Sequence, residues 1–199
     1  MSQSVDFYFD LISPPSYLAY TQLPKIAAQT GARINWRPVL VGAIHKATGN
    51  RAPIEVPAKG KYLLADLARY AARYQVPFRL NPHFPFSTLL HQRIATGLQM
   101  RQPEAFIGYI EAMFEAIWVE GLNLSDPALI AQVLTRAGID PAQALALAED
   151  ADVKDALRQA TDEAVARGAF GVPTFFVGDT MFWGQDRLHF VRAALTPGG

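Results

Sequence analysis

An α/β fold is predicted, with a βαβ unit at the start of the chain, a ββα unit at its end and a large all-helical insertion between them. Three observations predict it. Residues 5–9 form an apolar, aromatic run that fits a buried strand, and Ser13-Pro14-Pro15-Ser16 follows as the opening of a helix. The middle of the chain carries apolar residues at spacings of three and four, the helical period. From Gly168 onward the sequence returns to short strand-like runs joined by a Gly178-Asp179 turn.

The first helix is expected over residues 14–29. Ser13 is a natural N-cap, because its hydroxyl can accept from an orphan backbone N–H, and proline at the first helical position loses no needed donor. Leu18, Leu23 and Ile26 should face inward, Gly31 should stop the helix and Pro24 should kink it. Residues 34–40 alternate in the period of a strand, and Pro38 places that strand near an edge. Residues 41–58 turn to Gly, Pro and small polar types, which predicts a loop and a domain boundary. Beyond it, Leu63, Leu67, Tyr70 and Tyr74 mark one helical face. Phe106, Ile110, Met113 and Ile117 mark another, and Val153, Leu157, Ala160 and Ala164 a third. Between them lie a proline-broken linker at 81–86 and a helix over 88–97. Asp126-Pro127 and Asp140-Pro141 each pair an N-cap with proline at the first position, fixing two further helix starts. Strands at 174–177 and 181–183 then lead to a last helix that buries Leu188, Val191 and Leu195.

A βαβ half and a ββα half around a helical insertion make the thioredoxin arrangement. The expected division gives residues 1–46 and 168–199 to the thioredoxin-like domain and 47–167 to the helical domain. Pro173 in Gly171-Val172-Pro173-Thr174 starts the third strand, where a missing N–H is tolerated and a cis bond is plausible. In this arrangement that turn faces the mouth of the first helix. Unsatisfied N–H groups and the helix dipole there stabilise an anion such as a thiolate.

Composition narrows the chemistry. The chain has 199 residues, half of them hydrophobic, enough for a sizeable core. Lys plus Arg and Asp plus Glu are 18 each, so no basic surplus argues for nucleic acid or an acidic membrane surface. There is no cysteine, which excludes disulfides, thiolate metal sites and chemistry on the protein's own sulfur; any thiol must be brought in. His45, His83, His91 and His189 show no metal-ligand spacing, so no metal is expected. Nucleotide and serine-hydrolase motifs are absent. No signal-peptide pattern opens the chain and no run approaches the roughly 20 apolar residues that span a bilayer, which makes the cytoplasm the expected compartment.

Four stretches carry a family resemblance: DFYFDLISPPSYLA, GNRAPIEVPAKGKY, AIWVEG and FGVPTFFVGDTMFWGQDRL. Together and in this order they resemble the 2-hydroxychromene-2-carboxylate isomerases and the kappa-class glutathione transferases. The ending WGQDRL, with tryptophan before the glycine, resembles the isomerase branch more. The resemblance implies that Ser13 is the catalytic serine, hydrogen-bonded to the sulfur of glutathione. It occupies the place of the nucleophilic cysteine in disulfide oxidoreductases, so Ser13-Pro14-Pro15-Ser16 is the redox pair with oxygen at both ends. It further implies that the Val172 backbone pairs with the cysteinyl portion and that Gln185 and Asp186 hold the γ-glutamyl end. Asn50 and Lys59 would reach glutathione from the other side, with Lys61 competing for the last role. A homodimer acting on a small aromatic substrate in naphthalene-type hydrocarbon degradation is implied as well.

Each residue also has a plainer reading. Ser13 alone is an N-cap, Asp186 a helix cap, Pro173 a turn, Asn50 a loop residue and Lys59 a solvated charge; their coincidence in one family order outweighs these. Trp118 and Trp183 suit an aromatic acceptor pocket, but large aromatics more often belong to the core. Two other functions stay open. A kappa-type transferase would consume glutathione by conjugation, and a non-redox thioredoxin-fold binding module would need no glutathione at all.

Overall fold

The computed structural model describes residues 3–196. The chain order is β1 (Ser4–Phe9), α1 (Pro14–Thr30), β2 (Arg33–Pro38), α2 (Val41–Thr48), a 3-10 turn at Pro53–Glu55 and α3 (Pro57–Tyr74). Then come α4 (Leu89–Arg101), α5 (Pro103–Glu115) running into a π turn at Ala116–Glu120, α6 (Pro127–Arg136), α7 (Pro141–Glu149) and α8 (Ala151–Ala166). The chain closes with β3 (Thr174–Val177), β4 (Thr180–Trp183), a 3-10 turn at Gln185–Arg187 and α9 (Leu188–Leu195).

The strands form one sheet in the order β2-β1-β3-β4, with β1 and β2 parallel and the other pairs antiparallel. This is the thioredoxin arrangement, with Pro38 on an edge strand as its missing N–H requires. Alternation along β1 sends Val5, Phe7 and Phe9 to one face and Tyr8 to the other. The first three join a core that continues through Leu18, Ile94, Phe106, Ile117 and Trp118, so sheet and helical insertion share one interior. Tyr8 packs on the opposite face with Ile44, Ala164, Val172 and Phe176. Arg167, just past α8, bonds Asp6 Oδ2 at 2.7 Å, Tyr8 Oη at 3.1 Å and the Gly178 carbonyl at 3.0 Å, tying that layer to the hairpin.

Most expected elements form where the periodicity places them. Phe106, Ile110, Met113 and Ile117 are all buried, and Asp126 and Asp140 cap α6 and α7 through Ala128 N (2.9 Å) and Ala142 N (2.8 Å). α1 runs on through Pro24 to an αL cap at Gly31. The Val172–Pro173 peptide is cis, and so is Phe84–Pro85. The expected loop at 41–58 needs correction, because its first eight residues are helix α2. No local capping residue announces that helix. Leu40 stands at its N-cap without a side-chain bond, and the Val41 N–H is received at 2.9 Å by Asp10, far away in sequence. α2 also crosses the expected division at 46/47.

Candidate active site at the mouth of the first helix

Ser13 caps α1 as its sequence context demands. Its Oγ accepts from Ser16 N at 3.2 Å, and the residue is 8% exposed. The hydroxyl's own proton points to the Val172 carbonyl at 3.4 Å, a long contact for an O–H donor, so most of its donor capacity is free. Ser16 Oγ, one turn further in, is fully buried and has no partner among the described residues.

The turn before β3 joins the other parts. The Pro173 carbonyl accepts from Gly184 N at 3.0 Å, which sets the Gln185–Arg187 turn beside Val172-Pro173. Tyr74 Oη donates to the Gln185 carbonyl at 2.9 Å, anchoring the same turn from α3, and burial raises the Tyr74 phenol to about 12. Gln185 is buried, whereas the Asp186 carboxylate is partly exposed and paired with Arg187. Asn50 follows the glycine that ends α2; its Nδ2 donates to the Phe170 carbonyl at 2.7 Å and its Oδ1 accepts from Arg51 N at 2.8 Å. Ser13, Val172, Asn50 and the Gln185-Asp186 turn are therefore linked around residues 170–173. Lys59 and Lys61 sit exposed near the start of α3, and among the described residues no side-chain hydrogen bond or ion pair ties either to that cluster.

At Gly171 the Trp183 and His45 rings close on the turn, in space that a side chain would need. A Cβ there would lie 3.1 Å from Trp183 Nε1 and 3.8 Å from His45 Nε2. Trp183 is 42% exposed and packs on Phe170, with ring centroids 5.0 Å apart. Burial lowers the His45 pKa against the opposing pull of Glu55, which favours the neutral imidazole. Trp118, by contrast, is core: it is fully buried and donates Nε1 to the Leu11 carbonyl at 3.0 Å. A groove of about 430 Å³ begins at Asp186 and runs between Lys25, Tyr70, Arg73, His189 and Arg192; Ser13 is not among its walls. Among the described residues no cluster of His, Cys, Asp or Glu could hold a metal ion.

Asp10 is the residue that sequence reasoning passed over. Only 2% exposed, its carboxylate accepts from Thr88 Oγ1 at 2.6 Å, Ile12 N at 3.1 Å and Val41 N at 2.9 Å. Burial pushes its pKa up while these donors pull against the rise. Two of the three are backbone N–H groups, which can only donate, so the carboxyl oxygens serve them as acceptors and the net shift is still upward. The available signal was an acid directly after the first strand, three residues before Ser13. Tyr74 gave no comparable signal, since its partner lies in the distant turn before α9.

The DSBA-like thioredoxin domain family matches residues 4–196. A 2-hydroxychromene-2-carboxylate isomerase from Sphingobium xenophagum is 35% identical over 197 residues, covering 98% of this chain and 99% of that protein. Glutathione S-transferase kappa 1 from Rattus norvegicus is 29% identical over 203 residues, covering 96% of this chain and 90% of the other. Among solved structures, a 2-hydroxychromene-2-carboxylate isomerase superposes with a TM-score of 0.84 at 32% identity, covering 96% of this chain and 94% of that one.

Proposed function

Because the chain belongs to the DSBA-like thioredoxin domain family, in the group of the 2-hydroxychromene-2-carboxylate isomerases and kappa-class transferases, we infer that the mouth of α1 binds a thiol. We propose a glutathione-dependent isomerase that interconverts 2-hydroxychromene-2-carboxylate and trans-o-hydroxybenzylidenepyruvate. The observation that carries it is a cysteine-free Ser-x-x-Ser helix mouth whose Ser13 proton, among the described residues, has only a 3.4 Å contact to the Val172 carbonyl.

The residues present fit glutathione. Ser13 offers a donor to the sulfur, the Val172 backbone beside Ser13 offers polar groups to the cysteinyl portion, and Asp186 offers a partly exposed carboxylate to the γ-glutamyl ammonium. Gln185 fixes the turn that carries Asp186, and Asn50 braces the Phe170 carbonyl from the facing loop. Lys59, or Lys61 two residues on, supplies a cation from the start of α3. Glutathione held there would supply a nucleophilic thiolate for reversible addition to an unsaturated carbon, the chemistry a cis–trans interconversion of the ring-opened substrate needs. The α1 N-terminus stabilises that negative charge by roughly 0.3–1 kcal/mol, up to ~2 when buried, and the Ser13 hydroxyl adds roughly 1.5–3. Together they lower a thiol pKa by about one to three units at 1.36 kcal/mol per unit. The Trp183, Phe170 and His45 rings flank the same turn and suit an aromatic substrate.

The same reading places the enzyme in the cytoplasm, as a homodimer in aromatic hydrocarbon catabolism of the naphthalene kind. It assigns residues 1–46 and 168–199 to the thioredoxin-like domain and the intervening helices to the insertion, with the first boundary best drawn at the end of α2. A kappa-type transferase is the second reading, favoured by the Rattus relative. Following chromene-carboxylate interconversion with and without glutathione, while titrating thiol, tests both. Turnover that requires glutathione and conserves it is expected; stoichiometric thiol loss identifies a transferase, and no saturable glutathione binding leaves a binding module.

A further inference from the structure

The segment that leads from β1 into Ser13 is held by side chains from the helical insertion. Gln92 Nε2 donates to the carbonyls of Phe9 (2.9 Å) and Val39 (2.8 Å), Thr88 Oγ1 donates to Asp10, and Trp118 Nε1 donates to the Leu11 carbonyl. Asp10 is the hub of this arrangement. Its carboxylate takes the Ile12 and Val41 N–H groups as well as the Thr88 hydroxyl, and its carbonyl takes the Ser13 N–H at 3.0 Å. Three helix N-termini thus meet on one residue: α1 through Ser13, α2 through Val41 and α4 through Thr88. Leu40 has no polar side chain with which to cap α2, so the Asp10 carboxylate serves that helix, and Thr88 does not cap α4 because its hydroxyl is turned toward Asp10.

A buried carboxylate is costly unless hydrogen-bonded, and a Ser or Asn at position 40 would cap α2 locally without it. What a remote carboxylate adds is geometry at the turn. Its own bond to Ile12 N and its carbonyl's bond to Ser13 N bracket residues 10–13, and the Thr88 contact fixes that turn against α4. We propose that Asp10 is a positioning residue for the reaction: it transmits the rigidity of the helical insertion to the 10–13 turn and so keeps the Ser13 hydroxyl aimed from the mouth of α1 at the bound sulfur. This rests on the reading of Ser13 as the thiol's partner.

Asp10→Asn and Thr88→Val test it. Asn keeps the size of the side chain but turns an amide NH2 toward donors, and Thr88→Val removes one donor while leaving the carboxylate. The first readout needs no ligand. Amide hydrogen exchange is measured at Ser16, whose N–H donates to Ser13 Oγ, against Gln143, whose N–H donates to the Asp140 cap at 3.3 Å in the remote helix α7. Exchange at Ser16 relative to Gln143 should rise about tenfold in Asp10→Asn and about threefold in Thr88→Val. The second readout is the thiolate absorbance of bound glutathione, whose pKa should move up toward that of the free thiol in both variants. An effect of charge alone would move it down, because removing a nearby negative charge favours a thiolate. A purely structural role would lower the melting temperature and leave the Ser16 to Gln143 ratio unchanged. An unchanged ratio, or a downward thiol shift, overturns the proposal. Should Asp10→Asn not fold, Thr88→Val carries both readouts. Absence of glutathione binding by the wild-type protein would overturn the functional reading instead, and the exchange ratio would still decide whether Asp10 holds Ser13.

Discussion

The two serines of the α1 mouth are chemically identical and physically opposite. Ser13 is a working cap with a donor to spare, while the buried Ser16 hydroxyl has no partner among the described residues. Ser13→Ala should cost about 10–100-fold in turnover, from roughly 1.5–3 kcal/mol of lost bonding to the thiolate, and about 1 kcal/mol of stability from the lost cap. Kinetics on protein shown to be folded at the assay temperature separate the two losses. Ser16→Ala should leave turnover within about twofold and keep or slightly raise stability, since it deletes an unsatisfied buried polar group. Equal activity in both variants would reduce Ser13 to a cap. Asp186 is a second residue whose surroundings alter its sequence reading, because Arg187 already pairs with it. Asp186→Asn should weaken glutathione binding about 2–5-fold, as expected of a partly exposed charge pair worth roughly 0.5–1 kcal/mol, with the fold intact. Calorimetric titration giving the wild-type affinity would remove Asp186 from the site.

Among the elements, those with their own punctuation were legible and those capped from a distance were not. Asp126-Pro127 and Asp140-Pro141 state their helix starts within two residues, whereas α2 borrows its cap from Asp10, a relation that no window around residues 41–48 contains. Close packing of α4 on α7 was equally invisible, since it depends on which turn of one helix meets which turn of the other. A Cβ on Gly97 would stand 2.7 Å from Leu147 Cβ, and a Cβ cannot swing aside. Gly97→Ala should therefore separate the helices despite alanine's better helix propensity, for a net loss of about 1 kcal/mol. Thermal unfolding should show this as a fall of about 2–4 °C, and an unchanged or raised midpoint would contradict the packing. β1 gives a pH test. Burial raises the Asp6 pKa, but hydrogen bonds from Arg167 and Asn35 outweigh it and leave the net value lowered. A lowered folded pKa contributes stability above the unfolded value, about 3.9, and that contribution fades as pH falls through the folded value. Asp6→Asn should be less stable than wild type at pH 6, with the gap closing below about pH 4. A gap that stays constant to pH 2 would exclude this ion pair as its source.

At the scale of the whole molecule, the arrangement of halves and insertion was readable because each half keeps its own period. The way the insertion grips the turn before α1 was not, because Thr88, Gln92 and Trp118 reach residues 9–11 only through the tertiary fold. The proposed ligand would draw these parts together, touching α1, the loop after α2, the turn before β3 and the turn before α9. A ligand that binds only the native state raises its stability by RT ln(1 + [L]/Kd), about 2.7 kcal/mol when the ligand is at a hundredfold excess over Kd. For a chain of this size that corresponds to a rise in melting temperature of roughly 5–11 °C. S-methylglutathione keeps the peptide contacts and lacks the ionisable thiol, so it should raise the midpoint less at matched concentration. The difference between the two ligands should shrink in Ser13→Ala, because that variant lacks the hydroxyl that favours the thiolate. Equal shifts for both ligands in the wild-type protein would separate glutathione binding from thiolate stabilisation and leave Ser13 without its proposed role. No shift at millimolar glutathione, together with no heat of binding by calorimetry, would remove glutathione from the account altogether.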